Sequence, residues 1–283
     1  MSILDNIEGL KFTPETIEEY ILQELEKNKN FLFNELDLQM FVARALKKEF
    51  SENYKIHLEY HLPKGWNKKF DEDYSRWGTE KPYFDIVLED LNESKFIAIE
   101  LKYKLKEVKL KQGIEEFKRF DTVSQNKGIT LVTNQSAENE GRYDFWKDVK
   151  RLELLKEHFY GNVIGGIALF FTNQYSYTQE NSGYKYTKFN FEEKKSDFLH
   201  WTYGVCERSE DGFQCGNHDC RNIPCGEKLK KNKKKIKDWG SEWIHYTRPN
   251  FELKGKYTGK WYRGKNGFDG PMHEKFYCYS VII

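Results

Sequence analysis

The sequence is short of net charge, of proline and of cysteine. Lys and Arg number 46 and Asp and Glu 45, so the formal charge of the 283-residue chain is only +1. No global positive field announces a nucleic-acid partner, and any polyanion has to be held by local patches. Six prolines leave no Pro-rich linker. No stretch approaches the roughly 18 apolar residues that span a bilayer. The opening segment, Met1-Ser2-Ile3-Leu4-Asp5-Asn6-Ile7-Glu8, lacks the basic-then-apolar pattern of an export signal. Cysteines are 5, an odd number, and four of them fall between 206 and 225. Without an export signal this usage predicts reduced thiols and a cytoplasmic setting, and argues against a disulfide framework. No internal repeat is visible.

What is abundant is aromatic and strand-forming. Aromatics make up 16% of the chain (18 Tyr, 21 Phe, 7 Trp), which favours extensive β-structure. The length suits one large domain, or one domain with an extension. Thr13-Pro14-Glu15 has the cap, first-turn proline and acidic residue of a helix start, and predicts a helix to about Lys27. A second helix opens at Asn34 and runs to about Phe50, with Leu36, Met40, Ala43 and Lys47 on one side and Leu38, Phe41 and Ala45 widening the apolar surface. Residues 54 to 60 alternate as a strand. A long loop follows, Pro63 to Lys81, carrying Trp66, Lys68, Lys69, Arg76 and Trp77. Lys111 to Ser124 and Asp144 to Tyr160 read as helices; Gly128 to Val132 and Val163 to Phe171 read as buried strands. A strand, crossover helix and strand in one sheet run parallel, so a mixed sheet is expected. Beyond residue 172 the pattern turns to strands, at 184–191, 198–203, 251–257 and 276–283. The organisation read from this is an N-terminal helix (1–29), a core (30–175) and a β-rich extension (176–283) with a Cys/Lys-rich loop at 204–238.

Two neighbouring apolar runs carry charges. Tyr83-Phe84-Asp85-Ile86-Val87-Leu88 and Phe96-Ile97-Ala98-Ile99-Glu100-Leu101-Lys102 flank a polar turn, Glu89 to Ser94. An ionisable group in a buried strand is costly unless it is paired or bound to metal. A hairpin centred between Asn92 and Glu93 sets position 85 opposite position 100, and side-chain alternation puts Lys102 on the same face as Glu100. Two opposed carboxylates repel, and a divalent cation between them resolves the conflict. A structural ion pair with Lys102 or Lys104 is the competing reading. Glu35, in the first turn of the second helix with Gln39 one turn on, is either part of this centre or a favourable first-turn charge.

These residues resemble the motif of the PD-(D/E)XK nuclease superfamily, the restriction-endonuclease-like fold: an aspartate near the end of one strand, here Asp85, then Glu-x-Lys on the next, here Glu100-Leu101-Lys102, preceded by a helix bearing Glu35. Pro82 stands three residues before Asp85 instead of next to it. The helix-strand-strand-strand-helix-strand order of residues 34 to 133 looks like that superfamily's αβββαβ core, and the later residues 251–257 with Trp261 look like an uncharacterised bacterial branch. The resemblance implies an α/β mixed sheet flanked by helices. It also implies a Mg²⁺-dependent (or Mn²⁺-dependent) DNA endonuclease, restriction- or defence-like, of a kind that often cuts as a homodimer. Asp85, Glu100 and the Leu101 backbone carbonyl would hold the metal, Lys102 would orient or activate water, and Glu35 would support a second ion or its waters. Gln112 is a further candidate near the same centre.

Two other features are singled out. Lys104, Lys106, Lys109 and Lys111 follow the proposed catalytic strand, and Lys231 and Lys234 belong to a dense run from Lys228 to Lys237. Each set is read either as phosphate contacts or as solvated charge. Trp66 and Trp77 either stack on bases or anchor their loop. Cys206, Cys215, His218, Cys220 and Cys225 are soft ligands within twenty positions, read as a zinc site or as free thiols. The alternatives to a nuclease are a nucleic-acid-binding protein of the same fold without catalysis, and an interaction module organised by zinc.

Overall fold

The structure, a computed structural model, describes residues 11–50, 53–62, 65, 67–75, 82–109, 130–135, 138–179, 191, 198–199, 206–209, 212–215, 218–220, 251–270 and 274–283. Helix α1 (Pro14–Lys27) starts where its cap dictates, the Thr13 hydroxyl accepting the Thr16 N–H at 3.3 Å. Helix α2 (Glu35–Glu49) is capped by Asn34, which accepts the Asp37 N–H at 2.8 Å. Its buried face is Leu38, Gln39, Val42, Ala43, Ala45 and Leu46. Leu36 and Met40, expected inside, are 60% and 44% exposed. A polar residue, Gln39, takes the inward position because its amide has backbone to satisfy.

The chain continues as β1 (Tyr54–His61), α3 (Lys68–Ser75), β2 (Tyr83–Asp90), β3 (Lys95–Lys104), β4 (Val108–Lys109), β5 (Thr130–Val132), α4 (Glu138–His158) and β6 (Val163–Thr172). Later come β7 (Phe198–Leu199), β8 (Cys206–Ser209), β9 (Gly212–Cys215), β10 (His218–Cys220), β11 (Phe251–Glu252), β12 (Gly259–Trp261), β13 (Phe268–Asp269) and β14 (Lys275–Ile282). The main sheet has the order β1-β2-β3-β6-β14-β12, with β13 also on β14. Strands β3 and β6 pair in parallel, and its other neighbours are antiparallel. The protein is mixed α/β around a mostly antiparallel sheet.

Several expectations are corrected here. The parallel partner of β3 is β6, not residues 128–132; β5 pairs with β4 in a separate two-stranded ribbon. The reason is burial: β6 is ten residues of near-continuous apolar character, able to lie between two helical layers, whereas β5 is three residues and only Val132 is buried. From α2 to β6 the elements follow in the order α2-β1-α3-β2-β3-β4-β5-α4-β6. The predicted loop 63–81 contains α3, whose Phe70 and Tyr74 are buried against α4. The loop 204–238 contains the three-stranded sheet β8–β10. Strand β14 lies beside β6, so the C-terminal strands extend the main sheet. The predicted helix 111–124 lies outside the described residues. So does most of the predicted strand at 184–191, of which Phe191 alone is described.

Odd positions of β3 (Ile97, Ile99, Leu101, Tyr103) and of β6 (Ile167, Leu169, Phe171) pack under α1 and α2. Ala98, Ala168 and Phe170 pack under α4 with Phe145, Val149 and Leu152. Helix α4 starts at Glu138, earlier than expected at Asp144, and runs through Gly141. That glycine serves close packing and does not break the helix, because a Cβ there would stand 2.7 Å from the Tyr177 hydroxyl. From Gly141 to Leu155 nearly every α4 residue is buried, charged ones included. The segment from Phe251 closes over the helix: Glu153 Oε1 accepts the N–H groups of Lys254 (2.7 Å) and Gly255 (2.8 Å) and the Tyr257 hydroxyl (2.8 Å), while Lys150 pairs with Oε2. Among the described residues no helix is long and apolar enough to cross a membrane.

Removing that carboxylate leaves a buried ammonium and three donors without an acceptor. Glu153→Ala should cost about 3–5 kcal/mol of stability in urea unfolding, and Glu153→Gln, which keeps an acceptor, distinctly less.

Candidate active site

The β2–β3 register is the one the turn predicts, with Asp90 opposite Lys95 and Ile86 opposite Ile99. There the ladder stops, while β3 runs on to Lys104. Two N–H groups of the overhang donate to carboxylates instead: Leu101 to Asp85 Oδ2 at 2.7 Å, and Tyr103 to Glu35 Oε2 at 2.9 Å. Backbone groups must find partners when buried, and here acidic side chains from β2 and from α2 supply them.

The end of the ladder has a cause in β1. Leu58 pairs with Ile86 and Tyr60 with Phe84, but Glu59, between them, has φ 47°, in the left-handed region. Across this point both strands change face. Tyr54 and Ile56 pack with the α1/α2 core and Tyr60 and Leu62 with the α4 core; likewise Ile86 and Leu88 against Phe84. Gln39 holds the break together, donating to the Asp85 carbonyl at 2.7 Å and to Glu59 Oε1 at 2.8 Å. A non-glycine residue in this conformation persists only where its surroundings enforce it.

Glu100, 2% exposed, and Lys102 come from the α4 side of β3. Lys102 Nζ stands 3.6 Å from Glu35 Oε1 and 3.7 Å from Asp148 Oδ2. Arg151, one turn along α4 from Asp148, places one guanidinium nitrogen 3.1 Å from Glu100 Oε1 and another 3.0 Å from Asp148 Oδ1. It also donates to the Tyr74 hydroxyl (2.7 Å) and to the Tyr83 carbonyl. Four carboxyl groups (Glu35, Asp85, Glu100, Asp148) thus converge on two cations, Lys102 and Arg151.

Burial pushes the Asp85 carboxyl up to about 6; the Leu101 N–H and Lys102 oppose this, and Asp148 and Glu35 reinforce it. Burial also lifts Glu100 well above the carboxylate range despite Arg151, with Asp85 and Asp148 adding to the effect. Burial works against the Lys102 ammonium, but Asp148, Glu35, Asp144 and Asp85 outweigh it and hold its pKa above the ordinary value. Arg151 is likewise raised, Glu100, Tyr74 and Asp148 overcoming its burial. The surrounding carboxylates thus favour the charged form of Lys102, which is suited to donating hydrogen bonds and offsetting negative charge.

The donors gathered here are carboxylate oxygens, the ligand type of hard divalent cations. Glu100 Oε1 is buried without a hydrogen bond, because the Arg151 nitrogen lies within ion-pair distance but off the direction a hydrogen bond needs. The carboxyl groups outnumber the cations by two, and oxygen ligands of this kind select Mg²⁺ or Mn²⁺. Among the described residues no group of three or more His, Cys, Asp or Glu side chains stands close enough together to hold a metal ion. At Leu101 the observed contact is the amide, given to Asp85.

Of the other candidates, Lys106 is exposed, Lys104 is partly buried at the end of β3, and Lys109 is exposed and pairs with Glu107 at 3.1 Å. Lys111, Gln112, Trp66, Trp77, Cys225, Lys231 and Lys234 lie outside the described residues, and Cys206, Cys215, His218 and Cys220 belong to β8–β10, away in sequence from this centre. A mainly apolar cavity of about 240 Å³, lined by Tyr60, Phe84, Phe96, Ala98 and Leu155 among others, sits toward the start of β3 and includes none of the charged groups. Asp148 and Arg151 were not singled out in the sequence. The available signal was two charges at helical spacing beside the apolar stripe Phe145, Val149 and Leu152. No protein-family model matches the chain, and neither a curated protein nor a solved structure does.

The shift at Asp85 sets a pH test. Its folded pKa, about 6, lies above the ordinary 3.8. Its protonation therefore favours the folded state fully below about pH 4, and that contribution is lost as pH rises through about 6. Asn in its place keeps an acceptor for the Leu101 N–H and removes the charge. In chelator, Asp85→Asn should be more stable than wild type at pH 8 by up to ~3 kcal/mol, the gap closing near pH 4 in urea titrations.

Proposed function

We propose that the protein is a Mg²⁺- or Mn²⁺-dependent nuclease of the PD-(D/E)XK type, acting on DNA as an endonuclease. The observation that supports this best is the convergence of Asp85, Glu100 and Lys102 where β2 leaves β3, with Glu35 arriving from α2. The helix, three-strand meander, crossover helix and parallel strand (α2, β1, β2, β3, α4, β6) is compatible with the restriction-endonuclease-like arrangement.

Asp85 through its second oxygen, Glu100, and the Leu101 carbonyl would hold the cation, with Glu35 beside it. A bound divalent ion supplies charge neutralisation on the phosphate, a more acidic water and stabilisation of the leaving oxygen. The chain's own groups do the rest. Lys102, steadied by Asp148 and Glu35, directs a water and offsets the charge that builds on the phosphoryl oxygens. Arg151 limits the repulsion between Glu100 and Asp148 and fixes Asp148 toward Lys102. Gln39 positions Asp85 through its carbonyl. Lys104, Lys106 and Lys109 extend from the same end of β3 and meet neighbouring phosphates.

Arg151 also favours a second reading. A guanidinium already neutralising Glu100 suits a protein of this fold that binds nucleic acid without cutting it. Cleavage assays on plasmid, linear and single-stranded DNA and on RNA, with Mg²⁺ or Mn²⁺, separate the two. Wild type should cut, chelator should stop it, and Asp85→Ala or Lys102→Ala should lower the rate at least ~10²-fold. Salt-dependent binding with no cleavage under any of these conditions would establish the second reading; variants as active as wild type would remove the site.

A further inference from the structure

Lys102 and Arg151 balance the same carboxylates in different ways. Lys102 Nζ stands at ion-pair distance from Glu35 (3.6 Å) and Asp148 (3.7 Å). Arg151 is enclosed on every side. One of its terminal nitrogens faces both Glu100 Oε1, at 3.1 Å, and the Tyr83 carbonyl. The other faces Asp148 Oδ1 at 3.0 Å, and Nε donates to the Tyr74 hydroxyl at 2.7 Å. The rings of Tyr74, Tyr83 and Phe84 surround the guanidinium, their centroids 5.5, 5.3 and 5.6 Å from its central carbon. Burial works against its charge, but Glu100, Tyr74 and Asp148 outweigh it. Elements α3 and β2 thus hold a permanent cation against β3.

We infer that Arg151 fills the place of a second divalent cation, so that the centre takes one Mg²⁺ or Mn²⁺ ion and not two. This inference rests on the metal-dependent reading above and narrows it. Four ionised carboxylates (Glu35, Asp85, Glu100, Asp148) against Lys102 and Arg151 leave a formal charge of 2 − 4 = −2. Asp144, the next acidic group, has Lys147 at 3.7 Å on its own helix. One divalent ion meets that deficit. Without Arg151 the deficit is three, and a single ion no longer suffices.

Placement agrees with the charge. A second ion would have to bridge the carboxylates that β3 and α4 present to each other, Glu100 and Asp148. The guanidinium stands there already, and its planar fork serves two carboxylates at once, which a single ammonium does less well. Capacity for one ion remains on the other side. Glu100 Oε1 is buried and makes no hydrogen bond, even to Arg151. The printed bonds of Asp85 and Glu35 to the β3 backbone each occupy one carboxylate oxygen, Oδ2 and Oε2.

The experiment is Mn²⁺ titration of the full chain without nucleic acid, followed by the electron paramagnetic resonance of free Mn²⁺, with thermal unfolding in chelator and in Mn²⁺. Wild type should bind one ion per chain and Asp85→Ala none. Arg151→Met, similar in volume but uncharged, should unfold at a lower temperature than wild type in chelator. It should also bind a second ion and gain more stability from Mn²⁺ than wild type does. Arg151→Lys, which keeps the charge, should bind one. Two ions on wild type would overturn the inference and leave the nuclease reading standing. So would a folded Arg151→Met variant that binds one ion with wild-type affinity. No ion on wild type, together with no cleavage, would instead remove the metal-dependent reading and this inference with it. The wild-type stoichiometry decides even if Arg151→Met does not fold.

Discussion

Strand β3 runs past its partner, and most of the charged centre follows from that overhang. Beyond Ile99 its N–H groups at Leu101 and Tyr103 need acceptors that β2 no longer supplies. Carboxylates from two different elements fill those places, and once there they have to be compensated. Lys102 and Arg151 provide part of the balance, at the expense of their own desolvation. The left-handed turn at Glu59 and the Gln39 amide keep β2 from closing the gap. Acidity here is a consequence of backbone donors that need acceptors.

Helix α4 carries three buried cations (Arg142, Lys150 and Arg151) and two buried carboxylates (Asp148 and Glu153). It is covered on the sheet side, by α3, and by the segment from Phe251, so almost no face is left for water. Two of these cations pair within the helix, Lys150 with Glu153 and Arg151 with Asp148, and Arg142 donates to the Ser176 and Gln179 carbonyls. One turn of that internal pairing reaches the sheet and meets Glu100. The same helix that seals the core thus sets the electrostatics of the site.

Local chemistry was legible in the sequence and long-range placement was less so. The caps at Thr13 and Asn34, the β2–β3 turn and its register all depend on residues close together in the chain. Hence Asp85, Glu100 and Lys102 could be brought together on paper. Gln39 was noticed as a neighbour of Glu35, but its inward turn depends on a break in β1 that no propensity announces. Residues 128–132 were given the place that β6 takes, because a short apolar run is ambiguous until its competitors for the sheet are weighed. Asp148 and Arg151 went unnoticed because their partners on β3 and α3 are distant in the chain, as the Arg151–Glu100 and Arg151–Tyr74 contacts show.

The position of β14 bears on how the molecule comes into being. This strand is not a trim on the sheet edge: it lies between β6 and β12, and Ile283 exchanges two backbone hydrogen bonds with Gly166. During synthesis β3, α4 and β6 emerge well before the segment from Phe251 and the strand β14 that enclose them. The carboxylate cluster is then held by a sheet with a raw edge and a helix with one flank bare, a state prone to sticking to other chains. Docking of the distal strands closes that edge and that flank together.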